Sequence, residues 1–173
     1  TYEVTVVEQE GCSGEDEIEV IVSEPNVFLG ADITICANEA YPILDAANQG
    51  STYEWFYQGQ LIPGQTAQQL QTSQEGTYSV TITNIYGCPA SDELEVFEEP
   101  ALNAAFTGPA SATLGATVQF QDQTTPSPTG WTWNFGDGSP IVNQQNPSHA
   151  FQEIGPRPVF MIVQNAVCAD TAD

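Results

Sequence analysis

The chain has 173 residues, with 23 acidic side chains, one Lys or Arg and a formal net charge of −22. So negative a surface repels nucleic acid and anionic membrane, which removes both as partners. No apolar run approaches the roughly 20 residues of a membrane span, and direct membrane insertion is not expected.

Residues 1–20, TYEVTVVEQEGCSGEDEIEV, match residues 77–96, TYSVTITNIYGCPASDELEV, at a constant offset of 76 from Cys12 to Cys88. A weaker third copy occupies 158–173. Repetition at one domain length is the mark of an array of beads. Three segments are expected: 1–25, the last hairpin of a preceding domain; 26–100, one complete domain; and 101–173, a further domain cut in its last strand. In the first, Tyr2, Val4 and Val6 alternate with Glu3 and Thr5, and Ile18, Val20 and Val22 with Glu17, Glu19 and Ile21. Gly11, Ser13 and Gly14 are expected to form the turn. Glu24-Pro25 and Glu99-Pro100 each predict a short, stiff junction. Within 26–100, alternation and turn residues predict strands at 31–36, 41–46, 52–58, 60–62, 68–72, 77–84 and 92–97. Seven short strands with regular turns predict a β-sandwich, and no helical period appears anywhere.

Four cysteines without CxxC spacing favour disulfides over zinc, in an oxidising compartment. They allow three full pairings. Inside the complete domain the only available pair is Cys36 with Cys88, although the two could lie at opposite ends of a sandwich. Cys12 would then pair upstream, and Cys168 would stay unpaired or find a partner elsewhere. Lys is absent and Arg157 sits between Pro156 and Pro158. A trypsin-like protease therefore has almost nowhere to cut, and a Lys–Asn staple is ruled out.

Glu75-Gly76-Thr77-Tyr78-Ser79-Val80 resembles the corner before strand F of immunoglobulin-like domains. The resemblance implies that Tyr78 is the corner tyrosine and Trp55 the buried tryptophan of strand C. Val80 stands where antibody domains carry their second cysteine, so the usual inter-sheet bridge is missing. From 101 onward, Trp131-Thr132-Trp133-Asn134-Phe135-Gly136-Asp137-Gly138-Ser139 is followed by Asn146-Pro147-Ser148-His149-Ala150-Phe151. This resembles the polycystic-kidney-disease-type (PKD) domain, whose signature is W-x-F-G-D-G and then P-x-H-x-aromatic. Asp137-Gly138 is also a tight-turn signal on physical grounds. The family's next strand survives loosely from Gly155 to Val163, with Pro156 and Pro158 suggesting an edge position. The fold expected is therefore all-β, a beaded array of tandem immunoglobulin-like sandwiches. The combination resembles repeat regions of giant surface adhesins of Bacteroidota, including gliding-motility adhesins and cargo of type 9 secretion.

Catalysis is not expected. His149, the only histidine, belongs to the structural step, and the acids cluster in hairpin edges. Calcium is the one cofactor the acids could hold, with Glu24, Asp32, Glu98, Glu99, Asp122 and Asp137 as candidate ligands. Solvated acids are the plainer reading. Phe56, with Gln58 and Gln60 beside it, could offer a platform to a sugar, whereas Trp55, Tyr57, Trp131 and Trp133 have core spacing. The function expected is an extracellular, cell-surface stalk that spaces a distal binding region from the cell. Its partners would be neighbouring domains of one long chain, and surface glycans or other cell-surface proteins. Two other readings are a non-catalytic module of a secreted hydrolase and a filament subunit assembling by strand complementation.

Overall fold

The computed structural model describes residues 2–7 and 13–18 as backbone, and residues 25–173 in full. Among these every regular element is a strand. Strands β1 (Tyr2–Val7) and β2 (Ser13–Ile18) pair antiparallel, with Tyr2 opposite Ile18 and Val7 opposite Ser13. Ser13 and Gly14, expected in the turn, thus open the second strand. Ladder pairing with β1 outweighs the weak strand propensity of SGEDEI. Cys12, Glu24, and the Val20 and Val22 half of the expected alternation lie outside the described residues.

The next seven strands are those expected, with shifted ends. They are β3 (Ile33–Cys36), β4 (Ile43–Asp45), β5 (Thr52–Tyr57), β6 (Gln60–Leu61), β7 (Gln69–Gln71), β8 (Gly76–Thr83) and β9 (Pro89–Glu99). Five form one sheet in the order β3-β9-β8-β5-β6, and β4 pairs with β7. In β8 every second residue is buried, from Gly76 through Tyr78 and Val80 to Ile82, as period two demands. β3 runs parallel to β9, with Cys36 opposite Glu99. That register brings the end of the first strand to the end of the last.

Seven further strands follow: β10 (Phe106–Thr107), β11 (Thr117–Gln119), β12 (Gln121–Asp122), β13 (Gly130–Asn134), β14 (Ser148–Ala150), β15 (Phe160–Gln164) and β16 (Ala169–Ala172). β13, β15 and β16 form one sheet with β15 in its centre; β10 pairs with β12, and β11 with β14. The prolines before β15 suggested an edge strand. Pairing begins only at Phe160, after Pro158, so neither proline interrupts the ladder.

The chain divides into two compact units. One takes in Leu44–Leu70 and Tyr78–Glu93 with the chain up to Leu29; the other takes in Gly30–Ile43, Gln71–Thr77 and Leu94–Asp173. Leu44, Tyr53, Trp55, Leu70, Tyr78, Val80 and Ile82 are buried in the first. The core of the second is Leu102, Phe120, Trp133, Phe135, Met161, Val163 and Cys168, with Cys36 packed against it.

Candidate functional site

The chemistry of the second unit centres on a disulfide between Cys36 and Cys168, 132 residues apart in sequence with a Cα–Cα distance of 5.2 Å. The expected Cys36–Cys88 pairing is therefore incorrect, and Cys88 is unpaired among the described residues. Register explains the outcome. Cys36 lies opposite Glu99, the last residue of β9, whereas Cys88 immediately precedes its first residue. A strand of 11 residues spans about 35 Å, far beyond the reach of a disulfide. Cys168 arrives instead on the turn between β15 and β16, its Sγ 3.6 Å from the carbonyl oxygen of Pro100. Ala37 N donates to the carbonyl of Glu99 at 2.8 Å, fixing the end of β3 against the same junction. The repeat carried the missed signal, because Cys168 occupies in the third copy the place of Cys88 in the second.

The two hairpin turns that carry these cysteines share one device. Asn84 Oδ1 accepts from the amides of Tyr86 and Cys88 at 2.9 and 3.0 Å. Asn165 Oδ1 accepts from the amides of Val167 and Cys168 at 3.0 and 2.7 Å. Each asparagine also donates its own amide to the carbonyl of its cysteine, at 3.1 Å in the first turn and 2.9 Å in the second. An asparagine side chain can bond its own turn in this way, which suits it to the position.

The Trp131–Ser139 segment and His149 come together as the sequence pairing implied. Trp133 and Phe135 point into the core, and Trp133 Nε1 donates to the carbonyl of Gln144 at 2.8 Å. Gly136 has φ +68°, and a Cβ there would lie 2.2 Å from the carbonyl oxygen of Pro158. Asp137 Oδ1 accepts from Ser139 N at 3.1 Å and Ser139 Oγ at 2.6 Å. Asp137 Oδ2 lies 2.7 Å from His149 Nε2, and the imidazole stacks on Phe135 with ring centroids 4.1 Å apart. The bonds from Ser139, and then that from His149, hold the Asp137 carboxyl well below the usual carboxylate range. Serine, aspartate and histidine meet here in the wrong order for nucleophilic catalysis. The carboxylate sits between the other two, so the Ser139 hydroxyl donates its hydrogen bond to Asp137, and His149, bonded to the other carboxylate oxygen, is not placed to withdraw the hydroxyl proton.

The candidate metal ligands are dispersed. Asp122 Oδ1 accepts from Thr124 N at 2.9 Å, and its Oδ2 from Trp131 Nε1 at 2.9 Å and Gln145 Nε2 at 3.3 Å. Burial pushes the Asp122 carboxyl up, but these donors outweigh it and keep it below its ordinary value. Asp32 accepts from Glu95 N at 2.9 Å, and Glu98 accepts from the hydroxyl of Tyr41, which is pushed up to about 12 by that bond. Glu99 lies exposed at the end of β9, and Glu24 lies outside the described residues. Among the described residues no three His, Cys, Asp or Glu side chains converge on one point. Of the aromatics, Trp55 is fully buried with Nε1 donating to the carbonyl of Ala67 at 2.9 Å, while Trp131 and Tyr57 are half-buried. Tyr78 is buried, its ring 5.0 Å from that of Tyr57. Phe56, expected to point outward, is half-buried beside Ser79, Thr81 and Asp92, with Gln58 and Gln60 exposed.

Two stacks of short antiparallel strands, with a parallel first and last strand in the leading one, define a tandem immunoglobulin-like architecture. Solved structures share it. The chain superposes on extracellular domains 3–5 of Drosophila OTK with a TM-score of 0.59 at 10% identity, covering 98% of this chain and 67% of that one. It superposes on immunoglobulin domains 1–5 of Sidekick-1 with a TM-score of 0.52 at 11% identity, covering 98% and 44%. The chain therefore spans about two thirds of the first and under half of the second. Residues 98–172 match the PKD domain family, so the chain carries a PKD-type module beside an immunoglobulin-like one. No curated protein sequence matches the chain.

Proposed function

We propose that this chain is a non-catalytic stalk segment of an extracellular, multidomain cell-surface adhesin or filament. Its modules, 26–100 and 101–173, meet at Glu99-Pro100. The observation that carries the reading is the Cys36–Cys168 bridge. Tension applied through the two chain ends runs along the backbone to Cys36, crosses the sulfurs and leaves through Cys168. Residues 37–167, which include most of both modules, lie inside the loop and bear none of it. A covalent bypass of this kind suits a part that transmits force. It also supports an oxidising compartment, where disulfides persist. The charge of −22 keeps successive beads apart by mutual repulsion. The scarcity of Lys and Arg further limits cleavage by trypsin-like proteases.

The resemblance to gliding-motility adhesins and type 9 secretion cargo belongs to this proposal, as do glycans or surface proteins as partners of a distal region. The test is the native polypeptide. Antibodies against 26–173 should detect one very long chain in whole-cell extracts, and protease shaving of intact cells should remove that band. A subunit of about this size, or a chain ending in a catalytic domain, would overturn the stalk.

A further inference from the structure

The PKD-type module uses its hairpin cysteine to bond the module before it, and the immunoglobulin-like module presents the same hairpin with its cysteine unused. Asn84 and Asn165 hold the two turns with the same three bonds, so Cys88 and Cys168 occupy one structural position. Their surroundings differ as a used and an unused site would. Cys168 is 2% exposed, and the neighbouring Val167 packs against the same core as Cys36. Cys88 is half-buried, and the neighbouring Ile85 and Tyr86 are 76% and 53% exposed. Two large apolar side chains at a hairpin tip are costly to leave in water, and covering them is favourable. The start of the immunoglobulin-like module is tied to the strand after Cys88: Leu29 N donates to Asp92 Oδ2 at 2.7 Å, just as Ala104 N donates to Asp170 Oδ2 at 2.7 Å in the later copy, on the strand after Cys168.

We propose that Cys88 forms the same bridge one bead earlier, to a cysteine at the end of the first strand of a preceding immunoglobulin-like bead of this chain. Beads would then be joined in a staggered ladder: the first-strand cysteine of each bonds the hairpin cysteine of the next. The proposal rests on the beaded-stalk reading. The chemistry balances with a thiol–disulfide oxidoreductase as oxidant. The Cys88 thiolate attacks the enzyme disulfide and releases one enzyme thiol. The partner's thiolate then displaces the second enzyme thiol from Cys88. Two cysteine thiols become one disulfide, and the enzyme disulfide becomes a dithiol carrying the two protons.

The experiment is a non-reducing disulfide map of the native polypeptide. Free thiols are first blocked with iodoacetamide, and the chain is then cut with a glutamate-specific protease, since residues 1–173 hold no Lys and Arg157 is followed by Pro158, which blocks trypsin. The Cys88 peptide should be missing from the alkylated pool, take its label only after reduction, and migrate before reduction with a peptide from the chain preceding Tyr2. That peptide's cysteine should close a strand at the Cys36 position. Alkylated Cys88, a link to Cys12, or a link to Cys88 of a second chain would overturn the ladder while leaving the stalk intact. A polypeptide with no bead before Tyr2 would overturn both.

Discussion

Replacing Cys168 with Ser removes the bridge without adding bulk, and the cost follows from loop length. A bond joining residues 132 apart restricts the unfolded chain by about 5 kcal/mol on the chain-entropy model. The Cys36–Cys88 pairing would have closed a loop worth about 4 kcal/mol on the same model. Magnitude alone therefore separates the two poorly, and the pattern of variants decides. Cys36→Ser and Cys168→Ser should each lower the urea midpoint of the oxidised chain, corresponding to a loss of about 3–5 kcal/mol, followed by tryptophan fluorescence. Cys88→Ser should leave it unchanged, and the double variant Cys36→Ser/Cys168→Ser should lose no more than either single one. A reductant should bring the unsubstituted chain to the level of those variants. If Cys88→Ser instead loses as much as Cys36→Ser, the register assigned to β3 and β9 is wrong.

Three further outcomes follow from the geometry. Gly136→Ala meets the carbonyl of Pro158 and a positive φ together, and should cost at least about 3 kcal/mol. Gly138→Ala has φ +80° but open space, and should cost about 1–2 kcal/mol; equal losses in thermal melts would refute the close approach at Gly136. Asp137 has a folded-state pKa below its unfolded value, so its stabilisation is complete above the ordinary carboxylate range and is lost as pH falls through the depressed value. Asp137→Asn should therefore melt lower than the parent at neutral pH, with the gap closing only in strong acid; a gap that widens toward acid would contradict the assigned sign. Asp32, Asp122 and Asp137 already accept protein donors. Calcium and a chelator should thus give the same melting midpoint, and a rise of several degrees with calcium would restore a metal role to these acids.

Most of the fold was legible because it is written in local alternation. Tyr78, Val80 and Ile82 in β8, and Met161 and Val163 in β15, repeat every second residue, and no helical period competes. The Trp133–Gly138 turn and His149 were legible as a pair only through their resemblance to the two halves of the PKD signature, since β13, which leads into the turn, pairs with β15, and β14, which carries His149, pairs with β11. The disulfide was not, since Cys36 and Cys168 meet only after β3 has run parallel to β9 and a later hairpin has returned to Pro100. No local pattern specifies that closure. The centre position of β15 was masked by its prolines, whose effect ends two residues before the first paired one. The bonds of Asp122 to Trp131 and of Glu98 to Tyr41 were likewise invisible, because each joins residues brought together by tertiary packing.

Single-molecule stretching of the chain between its two ends tests the central claim most directly. The bridge hides the chain between residues 132 apart in sequence, which at about 3.4 Å per residue amounts to about 450 Å of contour. The oxidised chain should extend without releasing that length, however high the force below S–S rupture, and should release it once a reductant is added. Full extension of both modules in the oxidised chain would contradict a stalk whose tension bypasses them.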